Sequence, residues 1–143
     1  MRRASKRVAA VVVVLLAVLG AGCAAFPQPK TESLHELPGT YYVNGEDPQG
    51  VEYGGRLEIT QGDAPDTYEM QWIITGSLQT GTAVRDGDRL TAEWATVEGS
   101  TPADGPSTGT AEYTIESDGT LRGTRTVDGV DEQGTEEAFP VAE

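Results

Sequence analysis

The sequence predicts an all-β fold: an eight-stranded antiparallel up-and-down meander barrel, preceded by an N-terminal hydrophobic signal helix and a proline-containing tether. Three observations predict it. From Gly39 onward polar and apolar residues alternate with a period of two, turn-forming clusters recur about every ten residues, and no long helical periodicity is present. Alternation sends successive side chains to opposite faces of a strand, so each ribbon has one wet and one dry side.

The first element is not part of that pattern. "MRRASKR" carries Arg2, Arg3, Lys6 and Arg7 without an acid, and no charge occurs from Val8 to Ala25. A basic start followed by an apolar run and small residues is the layout of an export signal. The only cysteine, Cys23, ends "LGAGC". That stretch resembles the lipobox of bacterial lipoprotein signal peptides, with Ala21 and Gly22 at the positions beside the cut and Leu19 one place upstream of the usual leucine. The resemblance implies a signal peptide at 1–22, acylation of Cys23, and a membrane anchor that holds the protein in a bacterial cell envelope, on the periplasmic or extracellular side. Several acyl chains hold firmly where one does not, since each buried methylene contributes about 0.8 kcal/mol. Two other readings of the segment stay open: an uncleaved membrane helix, and a plain cut after Ala25 that frees the protein.

Six basic residues and all 23 acids follow Cys23, a balance of −17. Such a chain repels nucleic acid and anionic head groups. Residues 24–38, "AAFPQPKTESLHELP", hold three prolines and no period. With Cys23 they make an expected lipidated tether at 23–38, leaving 39–143 for the barrel.

The eight strands follow in order: "TYYVN", "VEYGGRLEIT", "TYEMQWIIT", "LQTGTAV", "DRLTAEWATV", "TGTAEYTIE", "TLRGTRTV" and "GTEEAFPV". In the second and third, Tyr53, Gly55, Leu57 and Ile59, then Tyr68, Met70, Trp72 and Ile74, share a face. Leu90, Ala92 and Trp94 do so in the fifth, and Ala111, Tyr113 and Ile115 in the sixth. The fourth and eighth strands read equally well in either register. Between strands, Asp47-Pro48 with Gly50 has the chemistry of a type I turn, and the Asp-Gly pairs at 86–87, 118–119 and 128–129 supply the positive φ of hairpins. Short connections pair each strand with the next, and closure removes both edges while burying the dry face. Glycines at 54, 55, 81, 109, 123 and 134 permit the bends.

"GTYYVNG" is similar to the opening of the calycins (lipocalins, avidins and small bacterial relatives), whose first strand starts Gly-x-Trp; Gly39 and Tyr41 match in spacing. The likeness implies an eight-stranded up-and-down barrel over residues 39–139. It carries over no ligand.

The only histidine, His35, falls in the tether, which argues against a histidine-based triad or metal site. Most of the acids fall on outward positions or in turns, and the loops with Asp86 and Asp88, or with Asp128, Asp131 and Glu132, lack EF-hand spacing. A non-enzymatic protein is expected, with no cofactor. The candidate ligand-binding residues are the inward aromatics Tyr41, Tyr53, Tyr68, Trp72, Trp94 and Tyr113, with Arg125. Leu121, Gly123 and Val127 set a phase that turns Arg125 inward, where it needs a partner such as Glu137 or a ligand, unless the register slips by one and exposes it. Two functions follow from this set. The barrel holds a small apolar or amphipathic ligand, or its interior is filled and the outer face meets envelope proteins.

Overall fold

The structure, a computed structural model, describes residues 35–97 and 107–142. Cys23 and the expected signal segment lie outside the described residues. Eight strands form: β1 (Gly39–Glu46), β2 (Glu52–Gln61), β3 (Thr67–Ile74), β4 (Ser77–Asp86), β5 (Arg89–Thr96), β6 (Thr108–Ile115), β7 (Leu121–Arg125) and β8 (Gly134–Pro140). Each pairs antiparallel with the next, and β8 returns to β1, which closes the barrel as the alternation predicts.

The connections use the expected chemistry. Gly50 N donates to Asp47 O at 2.9 Å, and the Asp47 carboxylate takes Gln49 N and Val51 N. Gly87 and Gly119 adopt φ of 62° and 85°, the left-handed region in which a Cβ is strained. The predicted dry faces of β2, β3, β5 and β6 all point into the lumen, where Leu57, Ile59, Met70, Trp72, Leu90, Trp94 and Tyr113 are buried.

The two ambiguous strands are resolved by their neighbours. In β4 the inward set is Gln79, Gly81, Ala83 and Arg85, leaving Val84 exposed. Gly81 stands across from Trp94, and Gly109 stands across from it on the other side. A Cβ on Gly81 would come within 3.1 Å of the Trp72 ring, and one on Gly109 within 2.9 Å of the Trp94 ring. The opposite parity would drive threonine into that space. In β8 the inward residues are Gly134, Glu136 and Ala138.

One end of the barrel is sealed by residues expected to belong to a free tether. Leu37 is fully buried in the core, and Tyr41 Oη donates to its carbonyl at 2.8 Å. His35 is exposed, yet its carbonyl accepts Arg85 Nη1 at 2.7 Å and its ring lies against Gly119. Burying a leucine side chain stabilises by about 2 kcal/mol, which is reason enough for this short segment to fold back onto the lumen.

Candidate functional site

At the other end the lumen is polar and aromatic. Its centre is Glu136, which is fully buried. The register explains how one acid is reached from several strands. Gly45 lies opposite both Tyr53 and Glu136, and Gly123 lies opposite both Tyr113 and Glu136. A row Tyr53–Gly45–Glu136–Gly123–Tyr113 therefore runs across five strands, with each tyrosine next to a glycine. Tyr53 lies over Gly45, whose position admits no Cβ without a clash with the phenol ring.

Both phenols reach the carboxylate. Tyr53 Oη donates to Oε2 at 2.6 Å and Tyr113 Oη to Oε1 at 2.5 Å. Trp72 Nε1 donates to Oε1 at 2.9 Å, and Arg125 Nη1 to Oε2 at 2.8 Å. Arg125 sends Nη2 to Gln79 Oε1 at 2.5 Å. Its guanidinium carbon sits 4.5 Å from the Trp94 ring centroid and 5.1 Å from that of Trp72. Indole faces carry negative potential and favour a cation placed over them. Trp94 Nε1 donates to Thr110 O at 3.3 Å.

The electrostatics follow from these contacts. Burial pushes the Tyr113 phenol well above its ordinary range; the Glu136 charge pushes the same way, and Arg125 pulls back. The same causes, in the same order, raise Tyr53. For Arg125, burial is the largest single influence and works against the charge, but Glu136, Tyr113 and Tyr53 together outweigh it and hold the guanidinium above its ordinary value.

Of the residues singled out from the sequence, Tyr53, Trp72, Trp94, Tyr113 and Arg125 come together here. Tyr41 and Tyr68 do not. They are buried toward the sealed end, where burial raises the Tyr41 phenol and Arg85 partly offsets the shift. The partner of Arg125 is Glu136 and not Glu137, which faces outward and pairs with Arg122. Sequence reasoning missed Glu136 and Gln79 because both lie on the ambiguous strands. Ala138 shares parity with Glu136, and that is the signal that separates the two adjacent glutamates.

Two shallow depressions of about 470 and 450 Å³ lie on the wall where paired glycines thin it. One is over Gly81 and Gly109, against the edge of Trp94; the other is over Gly45 and Gly123, at Glu136. Among the described residues, no group of three or more histidine, cysteine or acidic side chains is placed to hold a metal ion.

No protein-family model matches the sequence, and no curated protein matches it. Solved structures do. The redesigned β-barrel mFAP1, bound to DFHBI, is 19% identical, with a TM-score of 0.53 over 79% of this chain and 100% of that one. The redesigned barrel b11L5F_LGL is 18% identical, with a TM-score of 0.57 over 78% of this chain and 95% of that one. A third, mFAP0 bound to DFHBI, is also 18% identical, with a TM-score of 0.57 over 72% of this chain and 97% of that one. At such identities the likeness is one of fold alone, and it agrees with the closed barrel described above.

Proposed function

We propose that this protein is a non-enzymatic binding module that takes a small apolar or amphipathic ligand at the Arg125 end of its barrel. Lipid at Cys23 would carry it on a bacterial membrane, with the barrel exported. The observation that carries the reading is the unequal polarity of the lumen. One end is sealed by Leu37, while the other gathers Tyr53, Trp72, Trp94, Gln79, Arg125 and Glu136. A buried ion pair is often no more stabilising than apolar residues of similar volume, so a fold that needed only a filled interior gains little from this one. Indole and phenol rings with hydrogen-bonding tips are the usual walls of small-molecule sites. Redesigned barrels of the same fold, mFAP1 and mFAP0, bind DFHBI at their own sites. Support for a non-enzymatic role comes from Glu136, whose two oxygens are already taken up by four donors, Arg125 among them.

Ligand binding is checked by tryptophan fluorescence and melting temperature against a panel of small apolar and amphipathic compounds. A true ligand changes Trp72 or Trp94 emission and raises the melting temperature. If the whole panel leaves both signals flat, the reading fails. The anchor is checked by metabolic labelling with a fatty acid, where Cys23→Ala should lose the label entirely.

A second reading is favoured by a specific observation. Four side chains of the barrel take up both oxygens of Glu136, so this carboxylate is satisfied as it stands. In that case the outer face acts, and its exposed Tyr42, Val51, Ile73 and Val84 are the contacts an envelope protein would meet.

A further inference from the structure

We infer that Tyr53, Trp72, Tyr113 and Arg125 form a carboxylate receptor, that Glu136 occupies it as a built-in ligand, and that this occupancy excludes anionic ligands from the barrel. The donors come from β2, β3, β6 and β7 and converge on one group carried by β8. Two reach each oxygen, at 2.5 to 2.9 Å, which uses the roughly four lone-pair sites of a carboxylate. The flanking Gly45 and Gly123 put no side chain beside it. Nothing in the seat is left for a second anion.

The charge count points the same way. Arg125 is neutralised by Glu136 and also bonded to Gln79. The other inward arginine, Arg85, is at the opposite end and committed to the carbonyls of His35 and Gly87. An anionic head group entering beside Glu136 would be a buried like charge, and two carboxylates sharing a site do not both stay ionised. The formal charge of −13 adds a repulsive field outside. A neutral head group, such as an alcohol or amide, meets neither obstacle. Glu136 is thereby a specificity-determining residue. Its selectivity role rests on the ligand reading above, whereas the receptor itself does not.

Two experiments separate the claims. Glu136→Ala deletes Cγ, Cδ and both oxygens, which together have the shape of an acetate ion. Acetate should raise the melting temperature of E136A by about 5 °C or more over chloride at equal ionic strength, with no such difference for the wild type. A variant too unstable to melt is scored by its refolding yield in the two salts. Equal behaviour in acetate and chloride overturns the receptor.

The second experiment compares decanol with decanoate, read by tryptophan emission. The wild type should favour decanol by tenfold or more, and the isosteric E136Q should erase or reverse that preference by freeing Arg125. Equal wild-type affinity for the two probes, or an unchanged ratio in E136Q, overturns the selectivity. Should neither protein bind either probe, the ligand reading and the selectivity fall together, and the acetate result alone decides the receptor.

Discussion

Toward the end where residues 35–38 enter, the lumen is closed by Leu37, Ile59, Leu90 and Leu121, and its one arginine, Arg85, is satisfied by two backbone carbonyls. Toward the opposite end the same width of barrel holds Arg125, Glu136 and Gln79 between two indoles. Both arginines are inward and nearly fully buried. They differ in what answers them. Carbonyls near a turn meet Arg85 without a second charge, so that end is a plug that needs only shape and hydrogen bonds. Arg125 is met by a full opposite charge, two π faces and an amide, each from a different strand. Polarity in a barrel interior is thus affordable at either end, but only the second arrangement ties most of the strands to a single group.

Substitutions should expose that asymmetry. The largest effect is expected for Arg125→Ala, which leaves Glu136 as a buried charge without its partner. A loss of about 3–5 kcal/mol should appear in urea titration. Replacing the pair together, Arg125→Met with Glu136→Leu, should cost less than Arg125→Ala alone, because no orphaned charge remains. Leu37→Ala tests the sealed end. It should cost about 2–4 kcal/mol in the same assay while leaving the tryptophan emission of the polar end unchanged.

Gly45→Ala should cost about 1–3 kcal/mol, since the new methyl displaces the Tyr53 ring from its path to Glu136. Its signature is a changed Trp72 emission, which Leu37→Ala lacks. Smallest is Tyr113→Phe, at about 1–2 kcal/mol for one lost bond to a charged acceptor. It also carries a pH signature. Burial raises the Tyr113 and Tyr53 phenols in the folded state, so above about pH 10 the folded chain keeps protons that the unfolded chain has released. Their contribution is complete below that pH and fades as pH climbs through the folded values. The urea midpoint should therefore fall as pH rises above about 10, and less steeply in Tyr113→Phe.

Much of this architecture was legible in the chain. Parity alone placed Leu57, Trp72, Trp94 and Tyr113 inside, because β2, β3, β5 and β6 each put large apolar residues on one face only. Turn chemistry at Asp47 to Gly50 and at the Asp-Gly pairs separated the strands. Arg125 was readable as inward from Leu121 and Gly123. Its partner was not, since Glu136 and Glu137 are the same residue type and only the register of β8 tells them apart. The parity of β4 depends on the bulk of Trp94 across the sheet, which no local window contains. Leu37 was unreadable for a different reason. A single apolar residue in "HELPG" has no period, and its burial is decided by an opening that exists only once the barrel has formed.

The seam of the barrel joins β1 to β8, and Val141 N extends it by donating to Thr40 O at 2.9 Å. A ribosome makes the first partner almost a hundred residues before the second. Without Gly134–Pro140, β1 lacks one of its two partner strands and Arg125 lacks its counter-ion. Closure of the wall therefore waits for the last ribbon. The strand that closes the wall also delivers the acid that neutralises its centre.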